Sequence, residues 1–308
     1  MKALVTGGAG FIGSHLTEKL LEGREVIVLD NLSSGKEEFL GVFKDNPGFA
    51  FVNADLLNDN IDEHFAGVDE VYHIAANPDV RLGNDDLRVH FDQNILVTYR
   101  VLEACRKAGV RRFIFPSSST VYGEAEVVPT PEDSHYEPIS LYGASKLACE
   151  SLISSYAHNY GMKSYIFRFA NVVGGKSTHG VIFDFVNKLK ANPNELEILG
   201  DGTQNKSYVH IDDCIDAMFF AVENSTEAYQ VFNIGSEDRI DVKSLAGIIS
   251  EEMGLSPRFS FTGGDRGWKG DVPKMMLDIT KLKSLGWKPK HGSGDAIRLT
   301  VKDILARK

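Results

Sequence analysis

Tyr142 and Lys146 stand four residues apart, and Ser118 precedes the tyrosine by 24 residues. Of the ten tyrosines in the chain, Tyr142 alone has a lysine four positions on. In a helix that spacing turns both side chains to one face. A tyrosine in water keeps its proton to about pH 10, too tightly for a base at neutrality. An adjacent ammonium stabilises tyrosinate and brings the pKa toward working pH. The Ser118 hydroxyl, at the end of an apolar run, can bond the same substrate oxygen. Such a trio exchanges a proton with a carbon-bound hydroxyl, and that chemistry needs a hydride acceptor beside it.

The acceptor's site is written at the start of the chain. Lys2–Thr6 reads as a strand, Gly7, Gly10 and Gly13 follow at intervals of three, and Leu16, Leu20 and Leu21 recur at helical spacing. A strand, a glycine turn and a helix make a phosphate cradle: the backbone approaches a pyrophosphate that rests at the helix N-terminus. The next strand, Glu25–Leu29, ends in Asp30. A carboxylate there accepts from both ribose hydroxyls of adenosine and repels a 2′-phosphate, so NAD is favoured over NADP.

These groups need a scaffold that brings distant segments to one edge. Apolar runs at Phe49–Val52, Val71–Ala75, Phe113–Phe115 and Ser164–Phe167 read as buried parallel strands. Between them lie helical patterns, notably Asn94–Lys107 and Leu141–Tyr160. The fold class expected is α/β, a doubly wound parallel Rossmann sheet with a smaller mixed α/β substrate-binding lobe. Ligands of such sheets lie past the carboxyl ends of the strands, where Asp55-Leu56, Ala75-Ala76, Ser117–Ser119 and Asn171 fall. The sheet domain is expected over residues 1–171, with a return segment near 208–235. Residues 172–308 form the lobe, with short helices at Phe183–Lys190 and Val242–Met253.

Composition narrows the function classes. The chain has 308 residues and a net charge of −10, so its field repels nucleic acid and anionic membranes. No apolar stretch approaches the ~18 residues of a transmembrane helix, and Met1 leads into a strand, so a cytoplasmic protein is expected. Cys105, Cys149 and Cys214 lack metal spacing and read as reduced thiols; no metal is expected.

Thr6–Gly13 (TGGAGFIG), Asp30–Gly35 (DNLSSG), Ser117–Gly123 (SSSTVYG) and Tyr142–Lys146 (YGASK) resemble the extended short-chain dehydrogenase/reductase family. Gly200–Gln204, Tyr208–Asp212 and Leu285–Trp287 extend the likeness through nearly the whole chain. Within the family it is most similar to the NAD-dependent nucleotide-sugar 4-epimerases. The resemblance implies inversion at carbon 4 of UDP-glucose and UDP-galactose through a transient 4-keto sugar, with Ser118, Tyr142 and Lys146 catalytic. A reductase, a decarboxylase or an epimerase of UDP-glucuronate or UDP-N-acetylhexosamine is the alternative, and a non-catalytic NAD sensor a more distant one. The Asp-Glu pair of the 4,6-dehydratases is replaced here by Ser119-Thr120, leaving no carboxylate in place for elimination.

For NAD the resemblance implies Gly7, Gly10, Phe11, Ile12 and Gly13, then Asp30, Asn31, Ser33, Ser34 and Gly35. It adds Asp55, Leu56, Ala75, Ala76, Asn94 and Ala170, with Tyr142 and Lys146 at the reacting end. For the sugar nucleotide it implies Ser118, Asn171, His179, Val181, Lys206, Arg266, Asp271 and Met275. Relatives often carry arginine at position 206, and here Arg266 stands two residues away from its usual place. Met275 falls where a bulky residue excludes an N-acetyl group. A homodimer is implied, formed by the 94–107 and 141–160 helices with Leu147, Leu152 and Ile153 between subunits. His73 and His210 are expected to be structural.

Overall fold

The computed structural model describes residues 1–84, 86, 88–268 and 270–307. Lys269, inside the Arg266–Asp271 segment, lies outside them. The chain forms two compact units: Met1–Val121, Ser140–Arg168 and Asn224–Phe232 make the first, and Tyr122–Ile139, Phe169–Glu223 and Asn233–Lys308 the second.

The first unit is built on strands β1 (Lys2–Thr6), β2 (Glu25–Asp30), β3 (Phe49–Asn53), β4 (Glu70–His73), β5 (Arg112–Ser118) and β6 (Lys163–Phe169). With a further strand, Tyr229–Ile234, beside β6, the sheet runs in the order Tyr229–Ile234, β6, β5, β4, β1, β2, β3. β1 is parallel to both β2 and β4, β2 to β3, and β4 to β5. This is the doubly wound order, and its direction reverses between β1 and β4, the place where such sheets open a crevice for a ligand. Leu4, Leu29, Val71, Phe113 and Phe115 supply the core from the sheet, with Val101, Leu102 and Ile153 from the helices.

Three helices position the site. α1 (Phe11–Leu21) follows the glycine loop and buries Leu16 and Leu20. α2 (Val97–Ala108) is closed by Gly109 at φ +71°, a left-handed C-cap. α3 (Leu141–Tyr160) begins at Ser140, whose hydroxyl accepts from the Gly143 amide, and ends at Gly161.

Two expected boundaries move. The helix expected from Asn94 starts with a π-helical turn, Phe91–Leu96, because the Asn94 amide is held sideways by Asn77 and Ser145. β4 ends at His73 rather than Ala75, so Ala75 and Ala76 lie in the loop beyond the strand.

The second unit is a set of small sheets under helices. Asn171–Val173 pairs with Tyr208–His210, Glu195–Ile198 with Arg258–Phe261, and Asn205–Lys206 lies between Ile240–Asp241 and Lys274–Met275. Helices Val181–Ala191, Val242–Glu252 and Ser293–Ala306 bury Phe185, Val186, Leu245, Ile249, Ile297 and Val301 in its core. Residues 122–139 group with this unit, and of the segment near 208–235 only Asn224–Phe232 groups with the first. The physical reason for the former is a backbone exchange: Thr130 donates to the Met276 carbonyl and accepts from Asp278. Among the described residues no helix is long and apolar enough to cross a membrane.

Candidate active site

The glycine loop is shaped by two glycines with no space for a side chain. Gly7 has φ +69°, and a Cβ on it would lie 2.7 Å from the Ala75 nitrogen. A Cβ on Gly13 would lie 2.2 Å from the Gly7 carbonyl oxygen. The loop is therefore bare backbone, and beyond it the amides of Phe11, Ile12 and Gly13 open α1 without intrahelical partners. That cradle fits a pyrophosphate.

Asp30 closes β2 with its carboxylate turned to the loop, accepting from Ala9 N at 2.9 Å and Leu32 N at 2.8 Å. Burial pushes its pKa up, and the two amide donors oppose the rise. Leu32 adopts a left-handed φ of +57° to make its bond, a conformation that costs free energy in any β-carbon-bearing residue. Asn31, Ser33 and Ser34 stand exposed on the same turn, and Lys36 N bonds Ala9 O just past Gly35. A ribose acceptor beside a phosphate cradle suits the adenosine end of NAD. Asp55 caps its own turn through the Leu57 amide, whereas Leu56 is a core residue.

Ser118 is the last residue of β5, and Tyr142 and Lys146 lie on the first two turns of α3. Ser118 lies close enough to Tyr142 for its hydroxyl to pull the phenol pKa down. The Thr120 hydroxyl donates to Ser118 Oγ at 3.0 Å, and the Thr120 amide at 3.2 Å. Lys146 is 4% exposed; its Nζ donates to the Pro116 carbonyl at 2.9 Å and sits 4.5 Å from the Phe115 ring centroid.

Burial works against the expected lowering of the tyrosine pKa by Lys146. Burial pushes Tyr142 up to about 12, with Ser118 pulling it back only in part. Lys146 is itself brought down to about 8 by burial. Its nitrogen is 5.9 Å from the Tyr142 ring centroid and is committed to Pro116. Desolvation is the largest cause of both shifts.

Three more buried groups surround the trio, and of these His90 was not singled out from sequence. His90 meets the Tyr142 ring edge-on at 5.6 Å between centroids. Asn94, 2% exposed, donates to Ser145 Oγ at 3.0 Å and accepts from Asn77 N. His73 bridges Thr6 Oγ1 at 2.7 Å and Thr98 Oγ1 at 3.0 Å, and burial brings its pKa down to about 3, so it stays neutral. Only the i, i+4 spacing of Tyr142, Lys146 and Glu150 offered a signal for a third residue on this helix face.

In the second unit, Lys206, Asp271 and Arg266 come together. Lys206 Nζ lies 2.5 Å from Asp271 Oδ1, Arg266 donates to the Asp271 carbonyl at 3.1 Å, and Arg266 pairs with Glu124 at 2.7 Å. Both cations expected to face a substrate are thus partnered by carboxylates. Met275 is half-buried and in register with Lys206. Asn171 donates its side-chain amide to Ser207 O at 3.0 Å, next to a buried Ala170. His179 is exposed, with its Nδ1 3.5 Å from the Thr178 hydroxyl, and Val181 opens the following helix. His210 is buried beside His291.

The helix residues expected between subunits are corrected in part. Ile153 is fully buried in the first unit's own core, and Leu152 packs against that core. The large apolar side chains left exposed on these helical segments are Phe91, Tyr99, Leu141 and Tyr160.

Comparison with known proteins follows this geometry. The profile of the NAD dependent epimerase/dehydratase family matches residues 3–235. A solved UDP-galactose 4-epimerase is 44% identical, with 99% of each chain covered and a TM-score of 0.89. The UDP-glucose 4-epimerase of Mycolicibacterium smegmatis is 33% identical over 311 residues, 98% of either chain. The UDP-glucuronic acid 4-epimerase of Bacillus cereus, solved with UDP-glucuronic acid and NAD, is 30% identical, with 99% coverage of both chains and a TM-score of 0.91.

Proposed function

The chain belongs to the NAD dependent epimerase/dehydratase family, and from that premise we propose that it interconverts UDP-glucose and UDP-galactose by inverting carbon 4. The observation that carries this reading is Ser118 at the end of β5 with Tyr142 and a buried Lys146 on the first turns of α3, and hydroxyls rather than carboxylates at Ser119 and Thr120. That set can move one proton at one hydroxyl and lacks the acids an elimination needs.

The glycine loop and the α1 N-terminus would hold the pyrophosphate of NAD, and Asp30 its adenosine ribose. Bound NAD would supply a reversible hydride acceptor. Tyr142 Oη takes the proton of the sugar 4-hydroxyl, while Ser118 Oγ fixes that oxygen by hydrogen bonding. The Lys146 ammonium favours the ionised form of Tyr142 that accepts this proton. The 4-keto sugar then presents its other face, and Tyr142 returns the proton to O4. In the second unit Lys206 and Arg266 would reach the diphosphate by exchanging their carboxylate partners Asp271 and Glu124 for it, and Met275 would line the sugar pocket.

Incubation with UDP-glucose, UDP-galactose, UDP-glucuronic acid and the two UDP-N-acetylhexosamines, followed by NMR, tests the reading. The expected result is fastest exchange of the UDP-glucose pair; UDP-glucuronic acid as the preferred substrate would overturn the sugar assignment. We propose in addition a homodimer joined through the exposed Tyr99, Leu141 and Tyr160. A species of 34.0 kDa alone in sedimentation at micromolar concentration would refute it.

A further inference from the structure

Behind the catalytic face of α3 lies a buried ion pair. Glu150 and Arg168 are 3% and 2% exposed. Arg168 Nε donates to Glu150 Oε1 at 3.0 Å and Nη2 to Oε2 at 2.6 Å, a two-pronged grip that fixes the carboxylate plane. The Ser117 hydroxyl donates to the same Oε1. One helical turn earlier, Lys146 Nζ holds the Pro116 carbonyl. Consecutive strand residues 116 and 117 are thus gripped by helix residues 146 and 150, and the next strand residue is Ser118.

We infer that Glu150, clamped by Arg168 and Ser117, is a positioning residue that sets the register of α3 on β5 and thereby places Tyr142 and Lys146 against Ser118. The inference rests on the reading that these three residues carry the proton transfer. A neutral pair of similar shape fills such a volume at lower desolvation cost, so packing alone gives no reason for two buried charges here. The charge has a second effect. The titratable groups facing Lys146 are Tyr142, Cys149 and Glu150 on its own helix, His73 on β4 and His90 before the π-helical turn. Burial holds both histidines toward neutrality and the Cys149 thiol toward its protonated form. Glu150 is the carboxylate of this set, and with Cys149 it opposes the loss of the Lys146 proton that burial favours.

The test is Glu150→Gln in the holoenzyme, read in two ways. Titration of Lys146 by the NMR shift of its labelled ε-carbon needs no substrate; the midpoint is expected to fall by on the order of one pH unit. The kcat for UDP-galactose is expected to fall on the order of 10–100-fold with KM little changed, the signature of a misplaced reacting group rather than lost binding. If the single variant fails to fold, Glu150→Gln with Arg168→Met removes both charges together and is held to the same two outcomes. Ser117→Ala, which leaves the ion pair intact, is expected to lower kcat and leave the Lys146 midpoint in place. An unchanged midpoint with unchanged kcat in a folded Glu150 variant, or a fully active Ser117→Ala, overturns the inference. Tyr142→Phe serves as the control: if it stays active, the proton-transfer reading fails instead.

Discussion

Replacing Gly13 by alanine should disable the cofactor cradle. The added methyl would sit 2.2 Å from the Gly7 carbonyl oxygen and 2.7 Å from Gly8 Cα. This is more than about 1 Å inside ordinary contact. Both neighbours are backbone and cannot rotate aside, so the loop itself must move. Overpacking of this kind costs roughly 1–3 kcal/mol, and a backbone clash this close belongs at the upper end. Alanine returns about 1 kcal/mol of helix propensity, leaving about 2 kcal/mol. That corresponds to a fall in Tm of about 3 °C for a chain of this length and, if the loop shift is felt at the pyrophosphate, about 30-fold in NAD affinity. Two substitutions calibrate the effect. Gly10→Ala meets only the Gly7 oxygen, at 3.3 Å, and Gly23→Ala meets nothing within 4 Å. NAD retained through gel filtration and thermal melts of the three variants provide the assay. Gly13→Ala that melts with Gly10→Ala and keeps its NAD would refute the argument.

Three further outcomes follow from the same geometry. Tyr142→Phe keeps the ring that packs on His90 but loses the proton acceptor; kcat should fall by roughly 10²–10⁴, with UDP-galactose and NAD binding retained in calorimetry. Burial disfavours the charged form of Lys146 and brings its pKa down to about 8, so its ammonium is present below that pH and lost above it; kcat should decline as pH rises through 8, and a profile flat to pH 10 would contradict a role for the charge. Met275→Tyr should lower turnover of UDP-N-acetylhexosamines selectively, by roughly 1–3 kcal/mol in transition-state terms, and equal loss on UDP-glucose would show that Met275 is not the pocket wall.

What was legible in the sequence is what local chemistry dictates. The bounds of α3 were readable because Ser140 caps its start and a glycine at φ +68° ends it. The strand–glycine–helix opening was readable because only bare backbone makes that turn. What was not legible depends on residues far apart in the chain. The π-helical turn at Phe91–Leu96 follows from Asn94 reaching Asn77 and Ser145. The direction of the Tyr142 shift follows from tertiary burial, which the four-residue spacing with Lys146 does not report. Lys206 reads as a free cation until the fold brings Asp271, 65 positions later, onto it. Ile153 reads as an interface residue on a helical wheel, yet the sheet behind α3 claims it.

The central claim is that one carbon gives up a hydride and receives it back while Tyr142 lends and recovers the proton. UDP-galactose deuterated at carbon 4 tests it most directly. The account predicts UDP-glucose that carries the deuterium at carbon 4, formed in ordinary water with no net NADH. Loss of the label to solvent, or accumulation of NADH with a 4-keto or decarboxylated product, would contradict it.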